Sequence, residues 1–342
     1  MNMRSQFILL FILISVSSAL ISCKRDHYKV DVSSVDIVLK IERLEKDLFT
    51  MEPNEIESAI PALRDKYKGF LELFSYVINA GNVRDSSFGE YLTGFCTDKQ
   101  NNDVYDLTVQ LYPDLFNIEK ELQEAFRHYL YYFPQKNVPS VFTCITGFNS
   151  SIITGDSILG IGLDRYLGSD CEYYPRLGVY KYIADRMTPE NIVPDCMFAW
   201  ASSEWDFESL GYQADNALAS IIHNGKLKYF EKCMLPEETD ENIFGFTADQ
   251  LKFCKNNENQ MWQYLIENDL LFVTDQFVVQ KLTGEAPFTS YFTNESPGRA
   301  AVWLGFRIVE SYIMKNTEVK IADLMSDNDI QKILEKSKYS PQ

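Results

Sequence analysis

The sequence predicts an α+β fold, a mostly helical single domain with a small mixed β-sheet. Three observations predict it. Runs rich in β-formers occur in only two places, over residues 35–41 and 141–163. Helical periodicity fills most of the remainder, above all from Pro175 onward. No Pro/Gly/Ser-rich linker and no internal repeat divides the 342 residues, 46% of which are hydrophobic.

Residues 1–22 read as a lipoprotein signal peptide. Arg4 supplies the positive start, and residues 7–20 are dominated by Phe, Ile, Leu and Val. As a helix that run would span about 21 Å, short of a bilayer core of roughly 30 Å, so it fits a cleaved leader better than a membrane span. Leu20-Ile21-Ser22-Cys23 follows and looks like a bacterial lipobox, in which Cys23 is acylated and becomes the membrane anchor. Residues 23–34 then form a polar tether and 35–342 the domain. By resemblance to bacterial lipoproteins, the absence of Asp directly after Cys23 disfavours inner-membrane retention. No acidic cluster of the kind linked to surface display is present, so the periplasmic face of the outer membrane is expected.

Val35, Ile37, Leu39 and Ile41 alternate with polar neighbours, the period of a strand. Residues 55–78 turn helical, with Pro61 as a boundary or kink. Residues 97–106 are rich in Asp and Asn and read as a loop. Asp98, Asp103 and Asp106 lack the spacing of a calcium loop. A helix is expected over 118–132, ended by Pro134. Strands follow at 141–145, 151–154 and 157–163, with a tight hairpin at Gly155-Asp156. Further helices are expected over 180–187 and 216–234. Another opens at Thr247, with Gln250 at capping-box spacing. A helix over 275–282 stops at Gly284, one starts at Ser296-Pro297 and runs to 314, and the last spans 321–336.

The net charge of -17, from 49 acidic and 32 basic residues, repels phosphates and argues against nucleic acid as a partner. Only three His are present, His27, His128 and His223, too few for most His-rich catalytic metal sites, so neither metal nor cofactor is expected. Six Cys remain besides Cys23. An exported compartment permits disulfides, but the pairing is open, no CxxC motif occurs, and buried thiols are the default.

The helix over 216–234 carries a buried stripe of Leu218, Ile222, Gly225, Tyr229 and Cys233, with His223 beside it. A sheet followed by a His-bearing helix is the layout of a zincin metallopeptidase, whose H-E-x-x-H motif supplies two zinc ligands and a general base. Here the run is His223-Asn224-Gly225-Lys226-Leu227. Asn224 stands in place of the base, Leu227 in place of the second ligand, and Lys226 would repel a cation. The pattern is zincin-like with a degraded metal-binding helix, and no catalytic residue is assigned. Gly155-Asp156-Ser157 resembles a lipase nucleophile block but has no suitably placed His and reads as a turn. Glu204, Asp206 and Glu208 around Trp205 read as a solvated acidic loop, with sugar or cation binding as the alternative. Arg299 starts a helix that is apolar on most sides and is a candidate groove residue, alongside His223 and Tyr229.

Several blocks carry a family resemblance: Val38-Leu39-Lys40-Ile41-Glu42-Arg43, Asp47-Leu48-Phe49, Met261-Trp262-Gln263-Tyr264 with Glu267-Asn268, Pro287-Phe288-Thr289-Ser290, and Glu295-Ser296-Pro297-Gly298-Arg299. With the lipobox, they resemble the gliding-motility-associated lipoprotein B family of Bacteroidota over nearly the whole mature chain. The resemblance implies a cell-envelope lipoprotein serving gliding or the associated protein secretion, through protein partners and a lipid anchor at Cys23. It brings no established catalytic residues. The expectation is a non-catalytic accessory component. The alternatives are a divergent peptidase-like hydrolase, or an inactive peptidase scaffold that binds peptides.

Overall fold

A computed structural model describes residues 27–342. The expected signal peptide, Cys23 and the first part of the tether lie outside the described residues. The chain divides into two units, Met1–Asp31 and Val32–Gln342. In the described part of the first, the rings of His27 and Tyr28 lie 3.9 Å apart.

The elements of the second unit run β1 (Ile41–Arg43), α1 (Leu44–Phe49), α2 (Pro53–Tyr67), α3 (Gly69–Val77), α4 (Phe88–Thr97), α5 (Lys99–Leu111), α6 (Phe116–Tyr132), β2 (Ser140–Cys144), β3 (Ile152–Gly155) and β4 (Ile158–Gly162). The one-turn helices α7 (Tyr173–Arg176) and α8 (Lys181–Ala184) precede α9 (Ile192–Glu204) and α10 (Ala217–Met234). Then come α11 (Asp240–Phe244), α12 (Ala248–Asn256), α13 (Glu258–Glu267), α14 (Gln276–Thr283), α15 (Ala300–Lys315), α16 (Ile321–Ser326) and α17 (Ile330–Ser337). The protein is a mostly helical α+β fold with a small mixed sheet, as the sequence predicts.

The sheet has the order β1-β2-β4-β3; β1, β2 and β4 are parallel, and β3 returns antiparallel to β4. Gly155 pairs with Ile158 across a two-residue turn of Asp156 and Ser157. The left-handed φ of 55° falls on Ser157, so the hairpin turns one residue later than Gly155-Asp156. α3 and α9 both pack against β3 and β4. Gly160 is required for the α3 contact, since a Cβ there would lie 2.4 Å from the Phe70 ring. That ring stacks on Phe142 of β2 at 4.5 Å, in a core completed by Tyr67, Phe74, Phe88 and Leu92.

The predicted strand over 35–41 is mostly not a ladder. Its alternation is real, with Leu39 buried and Val38 91% exposed, but only Ile41–Arg43 pairs with β2. The amides of Leu39 and Ile41 instead donate to Gln123 Oε1 (3.1 Å) and Glu119 Oε1 (3.0 Å) of α6. Side chains of α6 thus occupy donors that an edge strand would leave open.

Other boundaries also shift. The helical stretch 55–78 breaks at Lys68, whose φ is 47°, while Pro61 stays inside α2. The polar run 97–106 is not a loop. Asp98 Oδ1 accepts from the Asn101 amide and caps α5, which buries Asn101, Val104 and Thr108 on one face. Ser296-Pro297 does not open α15. That helix begins at Ala300 behind Arg299, with φ 52°, and its first amide donates to Thr289 Oγ1 at 2.8 Å. Ser296 ties the preceding loop by donating to the Thr293 carbonyl and accepting from the Thr289 amide. The stretch 321–336 is two helices, and 180–187 shrinks to the single turn of α8. The capping box at Thr247 and Gln250 forms as predicted.

Candidate functional site

α10 sits at the centre of the helical half. Asn216 caps it by accepting from the Ala219 amide, and fifteen of its eighteen residues are buried. Its principal neighbour is α15, followed by α9 and α14. At the α10–α15 crossing Gly225 meets Gly305, and a Cβ on Gly225 would lie 2.2 Å from the Gly305 carbonyl carbon. It is α9 that lies on the sheet, so the position of the His-bearing helix adds no support to the zincin comparison.

A helix buried on nearly every side must satisfy its polar side chains internally. Lys226 donates to the carbonyls of Met325 (3.2 Å) and Asp327 (2.8 Å). Lys228 pairs with Glu231 at 2.7 Å and also donates to the Ile243 carbonyl. Burial pushes the Glu231 carboxyl up and the Lys228 ammonium down, and the pairing between them opposes both shifts.

Beside this pair lies Arg299. Its Nη1 meets Glu285 Oε1 at 2.8 Å and its Nη2 donates to the Phe244 carbonyl at 2.9 Å. Arg186 binds the same Glu285 and also Asp195, which accepts from the Tyr166 hydroxyl at 2.9 Å. Arg299 is therefore a largely enclosed cation engaged by Glu285 and the Phe244 carbonyl. Tyr229 is buried, its ring 6.4 Å from that of Phe306.

His223 is placed differently. It borders a cavity of about 530 Å³ between α10, α14 and the loop 207–215. Its Nδ1 lies 3.1 Å from the Tyr212 hydroxyl, and the Phe207 ring meets the imidazole edge-on. Burial, reinforced by the positive Lys226, lowers the His223 pKa from its ordinary 6.5 to about 4, so the ring is neutral at physiological pH. Ser220, Asn224 and Thr283 border the same cavity; Tyr229 and Arg299 do not. The structure therefore does not bring the three candidate residues together. The missed members, Ser220 and Asn224, had a signal: with His223 they fall at i, i+4 and i+3, a polar stripe in the N-terminal half of the helix.

Glu204, Asp206 and Glu208 do not converge. Glu204 pairs with Lys136, Asp206 accepts from the amide and hydroxyl of Ser209, and Glu208 borders the His223 cavity. Asp156 and Ser157 border a second hollow of about 450 Å³ beside β3 and Trp200, and no His lines it. Among the described residues, no group of three or more His, Cys, Asp or Glu could hold a metal ion. The six cysteines in the described region are all outside disulfides. No described helix is long and apolar enough to cross a membrane.

These features define a mostly helical α+β protein organised around one buried helix, with a neutral His at a polar cavity. Residues 25–341 match the family model described as gliding motility protein GldB, a lipoprotein family, and the chain belongs to that family. No curated protein and no solved structure matches it.

Proposed function

We propose that the protein is a non-catalytic accessory of gliding motility or of the protein secretion coupled to it, held by acyl chains on Cys23 at the periplasmic face of the outer membrane. The family match over residues 25–341 carries this reading. The lipobox at residues 20–23 supports the anchor. The isolation of His223 from a second ligand or a base supports the non-catalytic role, because Asn224 and Leu227 fill those positions. Its partners are envelope proteins. Deleting the gene in the native host should abolish colony spreading or alter the secreted proteins, and the intact gene should restore both. A deletion strain that spreads and secretes normally refutes the reading. Stoichiometric zinc in the purified protein, lost in His223→Ala, would favour a divergent metallopeptidase instead.

A second reading, an inactive scaffold that holds an extended peptide, is favoured by β3. This is an edge strand. The Gly162 amide bonds the Ser151 carbonyl, so by alternation Ile152 and Thr154 turn their amides and carbonyls to the open side. Ser150 Oγ covers the Ile152 carbonyl, and Thr154 borders the hollow beside Trp200. Peptide-array binding that disappears in Thr154→Pro would establish this mode of β-addition. An array with no binder removes it.

A further inference from the structure

We infer that the cavity at His223 is a binding site for a neutral carbohydrate, a sugar ring carrying vicinal hydroxyls. The inference goes beyond the proposed role in motility and does not depend on it.

Four observations carry it. First, no Lys or Arg borders the cavity, so no cationic side chain would contact an anionic ligand there. Second, His223 is only 6% exposed, yet its Nε2 has no partner among the described residues while Nδ1 is engaged by Tyr212. That nitrogen opens onto the cavity and is free to make a second hydrogen bond. Third, neighbouring side chains have spare capacity of the complementary kind. Thr283 donates its hydroxyl proton to the Val279 carbonyl, so in the Ser220–Thr283 contact at 3.1 Å Ser220 is the donor and keeps its lone pairs. Asn224 Nδ2 donates to the Ser220 carbonyl, leaving Oδ1 to accept. Fourth, Phe207 stands at the rim with its ring 4.9 Å from that of Tyr212, an apolar surface for the C–H face of a ring.

Sugar hydroxyls both donate and accept, which suits a wall of hydroxyl, amide and imidazole groups at fixed positions. The volume of about 530 Å³ is within the usual range for small-molecule sites. Two carboxylates also border the cavity, Asp215, which accepts from Gln276 Nε2 at 2.9 Å, and the exposed Glu208.

The test is saturation-transfer NMR on the purified chain with glucose, galactose, mannose, N-acetylglucosamine, cellobiose and chitobiose, with spermidine as a cationic control. At least one saccharide should bind, with an affinity insensitive to salt. Affinity should fall at least tenfold in Ser220→Ala/Asn224→Leu and remain unchanged in Asp156→Asn at the distant hairpin. Circular dichroism of each variant separates lost binding from lost folding; if the double variant unfolds, Phe207→Ser at the rim takes its place with the same expected loss. Silence from every saccharide, binding of spermidine alone, or binding untouched by the cavity variants overturns the inference.

Discussion

Lys228 and Glu231 occupy core positions that an apolar pair would fill at lower desolvation cost. Each is less than 5% exposed at its side chain, so removing one strands the other. Glu231→Leu should destabilise the protein by about 3–5 kcal/mol in urea denaturation, and Lys228→Met/Glu231→Leu should recover most of that loss. If the double variant were as unstable as the single one, the pair would be contributing more than mutual neutralisation. His223 gives a pH signature of opposite origin. Unfolded, it takes a proton near 6.5; folded, only near 4. Its contribution is therefore intact above pH 6.5 and lost as the pH falls toward 4. Relative to His223→Gln, the wild type should lose about 3 kcal/mol of stability between pH 7 and 4. Parallel stability curves for the two proteins would contradict a neutral buried ring. The sequence made His223 visible as a residue without its zinc partners. It could not show that Arg299 is tied into an ion pair and a carbonyl contact, because those depend on Glu285 and Phe244, distant in the chain.

At the scale of elements, α10 and α15 cross at close range through Gly225 and Gly305. A methyl group on Gly305 would lie 1.9 Å from the Ile221 carbonyl oxygen, a backbone clash that no side-chain rotation relieves. Gly305→Ala should cost about 3 kcal/mol or more and leave the protein poorly folded. Gly94, exposed in α4 with nothing within 4 Å of its would-be Cβ, should behave oppositely. Gly94→Ala should stabilise by about 0.5–1 kcal/mol. Equal effects from both substitutions would show that close approach is not what the crossing requires. Elements with one dominant local signal were legible: α6 and α10 from their apolar periodicity, the Thr247 cap, and the hairpin strands. The failures have a common cause. Asp and Asn over 97–106 signal a loop in isolation, yet Asp98 serves as a cap and Val104 as an anchor in α5. Ser296-Pro297 has the form of a helix start, but Thr289, seven residues earlier, captures Ser296. The candidate cavity was legible only on its α10 side, since α14 and the loop 207–215 meet it through tertiary packing.

For the whole molecule, the net charge of -17 bears directly on the anchor. An acidic body is repelled by anionic membrane surfaces, so electrostatics would not hold it there. The described helices include no membrane span. In this account attachment rests on acyl chains at Cys23, and several chains bind far more firmly than one. The most direct test is fractionation of native-host cells producing the full chain with Cys23→Ala beside the wild type. The wild type should sediment with outer membranes, and the variant should appear, folded and full-length apart from its leader, in the soluble periplasmic fraction. A Cys23→Ala protein that still sediments entirely with outer membranes would contradict it.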